Sequence, residues 1–253
     1  MFVLILKKLD TTSDPVKEPR PLLTAKRILF LGDSITAARD YVVDLQAALA
    51  LQGPTPEIIA LGLPLEGVTS LSEPTHPFPR PDVTERLARA FGKINPDLVM
   101  ACYGMNDGIY HPFSGHRFTR YHRGIHSLID KVNASGAQLI LLTSPPFDPK
   151  ATAIKNKLVS EDSPIFSWTK IYQNYDSEVI ARYATFILSL TSRVAKVADI
   201  HTPINKPMAR KRTMDPNYHL SNDGVHINRD GHRLMAQAIY QALLRQPLPK
   251  LSD

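Results

Sequence analysis

Short apolar runs recur along this chain at 28–31, 57–61, 98–103, 137–143 and 197–200, and each is separated from the next by loops or helical segments. Unbroken apolar runs of this length suit strands covered on both faces, unlike the alternating pattern of half-exposed strands. The first four end at Gly32, Gly62, Gly104 and Ser144-Pro145-Pro146, residues that turn the chain. Between the runs, apolar residues recur at helical spacing over 41–51, 83–94, 121–132 and 176–194, and a terminal helix is expected over 231–244. Strand and helix in alternation build a parallel sheet with right-handed crossovers. The expected fold is a three-layer α/β/α sandwich on five parallel strands.

The 253 residues suffice for one large domain, expected over 26–247, with an extended lead-in at 1–25 and a short tail at 248–253. The run Met1–Leu6 is apolar but far too short to span a bilayer, and no compartment follows from the sequence. The net charge of +6 is spread along the chain apart from Arg210-Lys211-Arg212, which reads as a solvated loop. With no aromatic interleaving or binding motif beside it, nucleic acid is not an expected partner. The single cysteine, Cys102, excludes an internal disulfide and falls in an apolar run, as a core residue would. No glycine-rich phosphate loop appears, so no cofactor is expected. His111, His116, His122 and His126 are close in sequence but come without a consistent ligand set, and read as surface or pocket residues rather than a metal site.

Three short motifs carry possible chemistry. Gly32-Asp33-Ser34 ends the first strand, where ligands bind in open α/β sheets. Asp223 and His226 stand three residues apart in a loop before the terminal helix. A serine hydroxyl is a weak nucleophile until an imidazole takes its proton, and that imidazole needs a third group to fix its tautomer. Gly104-Met-Asn106-Asp107 ends the third strand, where an asparagine amide can donate to an oxyanion. Each motif alone has a plain structural reading as a helix cap or turn. Together they supply nucleophile, base, orienting carboxylate and oxyanion donor.

On these motifs the chain resembles the GDSL, or SGNH, hydrolase family from Arg27 to about Leu244. The resemblance implies Ser34 as nucleophile, His226 as general base, Asp223 as its orienting partner, and Asn106 with the Ser34 N–H as oxyanion donors. It also implies the five-stranded sandwich. The family places a further glycine donor after the second strand; here Leu65 falls at that count and Gly67 lies two residues on, so both stand as donors. The expected activity is ester hydrolysis through an acyl-enzyme, with short acyl groups on carbohydrate or related small esters as substrate. Asp33, Asp107, Tyr110, Phe113, Trp168 and Tyr172 are expected to line the substrate site, and 150–174 reads as a lid or the start of a long helix. The alternatives are a lysophospholipase or thioesterase, and a non-catalytic module binding carbohydrate or a partner on the same fold.

Overall fold

Ile28, Leu29, Phe30 and Leu31 are wholly buried, as both faces of their strand are covered by helices. The computed structural model describes residues 21–250 apart from 152, 153 and 155. Its strands are β1 (Arg27–Gly32), β2 (Glu57–Gly62), β3 (Leu98–Cys102), β4 (Gln138–Leu142), β5 (Leu158–Val159), β6 (Ile171–Tyr172) and β7 (Lys196–Ala198). Five of them form one parallel sheet in the order β2-β1-β3-β4-β7, while β5 and β6 pair only with each other. The helices are α1 (Pro21–Thr24), α2 (Ser34–Ala38), α3 (Asp40–Ala50), α4 (Leu87–Ile94), α5 (Gly115–Ala134), α6 (Ala181–Ser189), α7 (His201–Lys211) and α8 (Arg229–Leu244). α3 packs on α8, and α5 on α6, so the sheet lies between two helical layers as expected.

This strand order reverses direction at β1. The chain leaves β1 for β2 on one side and later returns to β3 on the other. The crevice at the carboxyl ends of β1 and β3 is therefore a topological switch point, where such sheets bind ligands.

Local chemistry moves several boundaries. α5 starts six residues before the expected 121, because the Ser114 hydroxyl accepts from the Arg117 N–H and caps it. The segment expected as one helix over 83–94 divides into a 3₁₀ turn, Val83–Glu85, and α4. The helix expected over 176–194 begins instead with a π-helical turn, Tyr175–Ile180, and stops at Ser189. Pro21–Thr24, expected to be extended, forms one helical turn that buries Leu22. The expected features at 1–20, including the apolar Met1–Leu6, and the end of the tail at 251–253 lie outside the described residues.

α7 was not expected. Pro203 and Pro207 disguise it, yet Pro203 stands in the first turn, where its missing N–H costs nothing. Ile204 and Met208, four residues apart, bury one face. Arg210-Lys211-Arg212 thus closes a helix instead of lying in a loop. Nη2 of Arg212 donates to both oxygens of the Asp148 carboxylate, at 2.8 and 2.6 Å. Among the described residues, no helix is long and apolar enough to cross a membrane.

The long loop between β2 and α4 lies directly on α5. A Cβ built on Gly124 would stand 1.9 Å from the Val68 carbonyl oxygen, whereas one on Gly92 in α4 would meet open space. The same substitution therefore has opposite signs in the two helices. Gly92→Ala should raise unfolding stability by about 0.5–1 kcal/mol, through helix propensity alone. Gly124→Ala should lower it by about 1–3 kcal/mol, because backbone must move. Denaturant midpoints of the two variants check both signs.

Candidate active site

Ser34 is the first residue of α2, two positions beyond the end of β1. Asp33 starts the helix: its Oδ1 accepts from the Ile35 N–H at 2.9 Å. The serine side chain is left pointing at the α8 end of the sheet edge, where His226 meets it. His226 Nε2 lies 2.8 Å from Ser34 Oγ, and His226 Nδ1 lies 2.6 Å from Asp223 Oδ2. The other oxygen of Asp223 accepts from the N–H groups of His226 (2.7 Å) and Val225 (3.0 Å). A six-residue loop thus holds both its carboxylate and its imidazole in one arrangement.

Contacts both near and far in sequence hold that loop in place. Asp148 N–H donates to the Gly224 carbonyl at 2.8 Å, and Asn228 N–H to that of Leu220 at 2.7 Å. Arg229, at the start of α8, forks onto the buried Asp44 of α3 with two bonds of 2.6 Å. Because α3 follows α2 after a single left-handed residue, Arg39, the Asp44 contact ties the histidine loop to the serine's own helix pair.

Burial and hydrogen bonding set the charges. The hydrogen bond that His226 donates to Asp223 raises the His226 pKa above its ordinary value, although burial opposes it. Burial pushes Asp223 upward, but the bonds from His226 outweigh it and hold the carboxyl well below the usual range. Asp33 is pushed up to about 6 and Asp107 to about 7, both by burial.

Asn106 sits beside this chain of hydrogen bonds. Its Nδ2 donates to the Glu66 carbonyl at 3.1 Å, and its Oδ1 accepts from Tyr110 OH and from Arg80 Nη1, each at 3.1 Å. Tyr110 and its neighbour Ile109 are both left-handed, with φ of 60° and 45°, so the turn after β3 is strained where it faces the site. Leu65 is left-handed as well, with φ of 69°.

Ser34, Leu65, Asn106, Tyr110, Lys157, Trp168, Asp223 and His226 surround a cleft of about 150 Å³. The remaining expected lining residues have other tasks. Asp107 is buried, and its Oδ1 accepts from the Val68 N–H at 2.7 Å. Gly67 makes room for that carboxylate, since a Cβ there would stand 2.6 Å from Asp107 Oδ1. The Gly67 N–H is given to the Pro81 carbonyl at 3.1 Å, which removes it from the donors facing the cleft. Asp33 is buried as a helix cap. Tyr172 is buried in β6 with its hydroxyl on Glu178 at 2.9 Å, and Phe113 packs on Phe118 and beneath Arg182. His122 stacks on Phe186 with ring centres 3.6 Å apart, and His126 meets the same ring edge-on. His111 Nδ1 lies 2.8 Å from the Ile109 carbonyl.

Two buried acid–base pairs behind the site were not anticipated. Glu73 and Arg80, both in the β2–α4 loop, meet through Nε–Oε2 and Nη2–Oε1 bonds of 2.7 Å. Glu66 receives two bonds of 2.5 Å from Arg86 and one of 2.6 Å from Tyr103 OH. In sequence, the only trace of either pair is a charged residue in a loop otherwise rich in Pro, Ser and Thr.

Residues 30–234 match the GDSL-like lipase/acylhydrolase family. No curated protein matches the sequence. Among solved structures the fold is similar to BT4096, a gut microbial diltiazem-metabolizing enzyme, with a TM-score of 0.68 and 18% identity. The match covers 86% of this chain and 46% of that one, so this chain spans under half of its length. It is also similar to the acetyl xylan esterase AlAXEase, with a TM-score of 0.62 and 21% identity over 85% of this chain and 98% of that one. A catalytic mutant of Axe2, an acetylxylan esterase from Geobacillus stearothermophilus, matches with a TM-score of 0.60 and 17% identity, covering 86% and 94%. At these identities the neighbours speak for the fold, and the sequence match over 30–234 supplies the family: the chain belongs to the GDSL-like lipase/acylhydrolases.

Proposed function

We propose that this protein is a serine ester hydrolase that works through an acyl-enzyme and removes short acyl groups, acetyl foremost, from carbohydrate or related small esters. The observation that carries the reading is the unbroken path of hydrogen bonds from Ser34 Oγ through His226 to Asp223, opening onto a cleft. In this reading Ser34 Oγ attacks the ester carbonyl while His226 Nε2 takes its proton. The resulting oxyanion accepts hydrogen bonds from the Ser34 N–H, the Leu65 N–H and Asn106 Nδ2. Collapse expels the alcohol, which takes the proton from His226. His226 then deprotonates a water that attacks the acyl-enzyme, and the carboxylic acid leaves with Ser34 restored.

Leu65 is favoured over Gly67 as the third donor. Its N–H has no hydrogen-bond partner among the described residues, and it borders the cleft. A leucine held left-handed costs about 1–2 kcal/mol, strain of the kind found at functional sites. A cleft of about 150 Å³ is small beside the roughly 300–1,000 Å³ of sites for drug-sized ligands, which favours a short acyl group over a lipid chain. Trp168, 47% exposed at the rim, offers a face for a sugar ring.

A fluorophosphonate should label Ser34, and p-nitrophenyl acetate should be hydrolysed faster than the octanoate. Ser34→Ala or His226→Ala should cut kcat by several orders of magnitude, on the order of 10⁴–10⁶, with the double variant scarcely worse than either single. An unlabelled serine in a folded chain would instead mark a binding module. Preference for long acyl chains would favour a lysophospholipase.

The pH profile follows from the raised His226 pKa. Protonated His226 cannot accept the serine proton, so kcat/KM should fall as pH drops through a value above that of free imidazole. Asp223→Asn removes the group that raises it, and should move this acid limb to lower pH while cutting kcat by about 10⁴. A limb that stays put in the variant would separate Asp223 from the base.

The donor assignment is tested at Leu65. Leu65→Ala keeps the backbone N–H and should retain most activity. Proline cannot take the left-handed φ of 69°, so the N–H is deleted by replacing the Pro64–Leu65 amide with an ester, using the α-hydroxy acid of leucine, which should cost on the order of a hundred- to a thousandfold in kcat. Circular dichroism and fluorophosphonate labelling of the ester variant check that the site still folds.

A further inference from the structure

We propose that Arg80, clamped by Glu73, is a positioning residue that orients the Asn106 amide toward the developing oxyanion. This inference rests on the esterase reading above and adds a residue outside the three motifs.

Arg80 is 6% exposed and Glu73 2%. Burial alone would raise the Glu73 carboxyl, but the Arg80 fork outweighs it and keeps the group below its ordinary value, so it is held as the anion. Nε and Nη2 of Arg80 are both used on Glu73, which fixes the plane of the guanidinium. The remaining arm, Nη1, is thereby aimed at Asn106 Oδ1 at 3.1 Å and reaches the Leu65 carbonyl at 3.4 Å. Tyr110 lies against the same group, with the guanidinium carbon 5.5 Å from its ring centre and its hydroxyl on Asn106 Oδ1. Glu73 also accepts from the Trp168 N–H at 3.2 Å, so the clamp reaches the cleft wall.

A buried ion pair is a poor way to stabilise a loop, since apolar residues of similar size often do as well or better. What this pair does that apolar residues cannot is discriminate the two ends of an amide. Carbonyl and NH₂ have nearly the same shape, so packing alone does not choose between them. With a permanent cation and the Tyr110 hydroxyl on one side, only Oδ1 can face Arg80. In the flipped orientation the NH₂ would meet the guanidinium, and Oδ1 would meet the Glu66 carbonyl, the Asp33 carboxylate and the oxyanion, so Arg80 reinforces from the Oδ1 side the choice that these acceptors favour from the Nδ2 side. The cation also draws electron density toward Oδ1, which makes Nδ2–H a stronger donor.

The test is a kinetic cycle with p-nitrophenyl acetate. Arg80→Met alone would leave a buried unpaired carboxylate and risks unfolding, so the informative variant is Arg80→Met with Glu73→Met, which removes both charges. Arg80→Lys is its companion, because an ammonium can neutralise Glu73 but cannot fork onto it and reach Asn106 as well. Both should retain the fold by circular dichroism and KM within about threefold, while kcat falls by about ten- to a hundredfold. In an Asn106→Ala background the same changes should cost less than about threefold, because the amide they orient is gone. A kcat loss that is as large without Asn106 as with it, or a pair-deleted variant with wild-type kcat, overturns the positioning role and leaves the esterase reading intact. A wild-type chain that hydrolyses no ester and leaves Ser34 unlabelled overturns both.

Discussion

The parallel pairing of β1 with β2 and β3 is the constraint from which the site follows. Gly32, the last residue of β1, is level with Gly62 on one side and Cys102 on the other. Three chain segments therefore leave the sheet at one height, carrying Ser34, Leu65 and Asn106 to the same edge. The ladder even continues past β2, where the Leu63 N–H donates to the Gly32 carbonyl at 2.9 Å. A shift of one residue in either pairing would move a side chain by over 3 Å and reverse its face, beyond what a hydrogen-bonded site tolerates. The apolar run of β1, buried on both sides, makes such a shift expensive.

Carboxylate anchors hold what the sheet does not. Asp44 with Arg229, Asp148 with Arg212 and Glu66 with Arg86 each join segments that are distant in sequence, and each meets its arginine through two bonds. A two-armed arginine fork is directional, so the Arg229 and Arg86 pairs fix an orientation as well as a distance, while Arg212 meets both oxygens of Asp148 through Nη2 alone. The first two hold the loop that carries Asp223 and His226 between α3 and the segment after β4. The third joins the Tyr103 hydroxyl and the Leu61 carbonyl, at the base of the β2–α4 loop. That loop is long and poor in regular structure, yet Val68 and Glu73 are buried because its backbone groups and charges find partners within the fold.

The donors proposed for the oxyanion illustrate how one family pattern can be met with different residues. A backbone N–H needs no particular side chain, only an allowed backbone angle. At Leu65 the chain accepts a left-handed leucine, and its carbonyl is reached by Arg80. The glycine two residues on answers to a different demand, the approach of the Asp107 carboxylate to Val68 N–H.

Periodicity and turn chemistry are local properties, and what depends on them could be read directly from the chain: the strands, most of the helices, the parallel three-layer fold, and the set Ser34, Asn106, Asp223 and His226 that the fold brings to one edge. α7 escaped because two prolines hid a helix whose apolar face is only Ile204 and Met208. The roles of Asp33, Asp107, Phe113 and Tyr172 escaped because an aromatic or acidic residue near a site reads the same whether it faces the cleft or supports it from behind. The clamp of Arg80 by Glu73, the fork of Arg229 on Asp44 and the spending of the Gly67 N–H on Pro81 belong to the tertiary structure alone. Such pairings follow from where the sheet places distant or irregular segments, and a contact without a fixed spacing leaves no period in the sequence to reveal it.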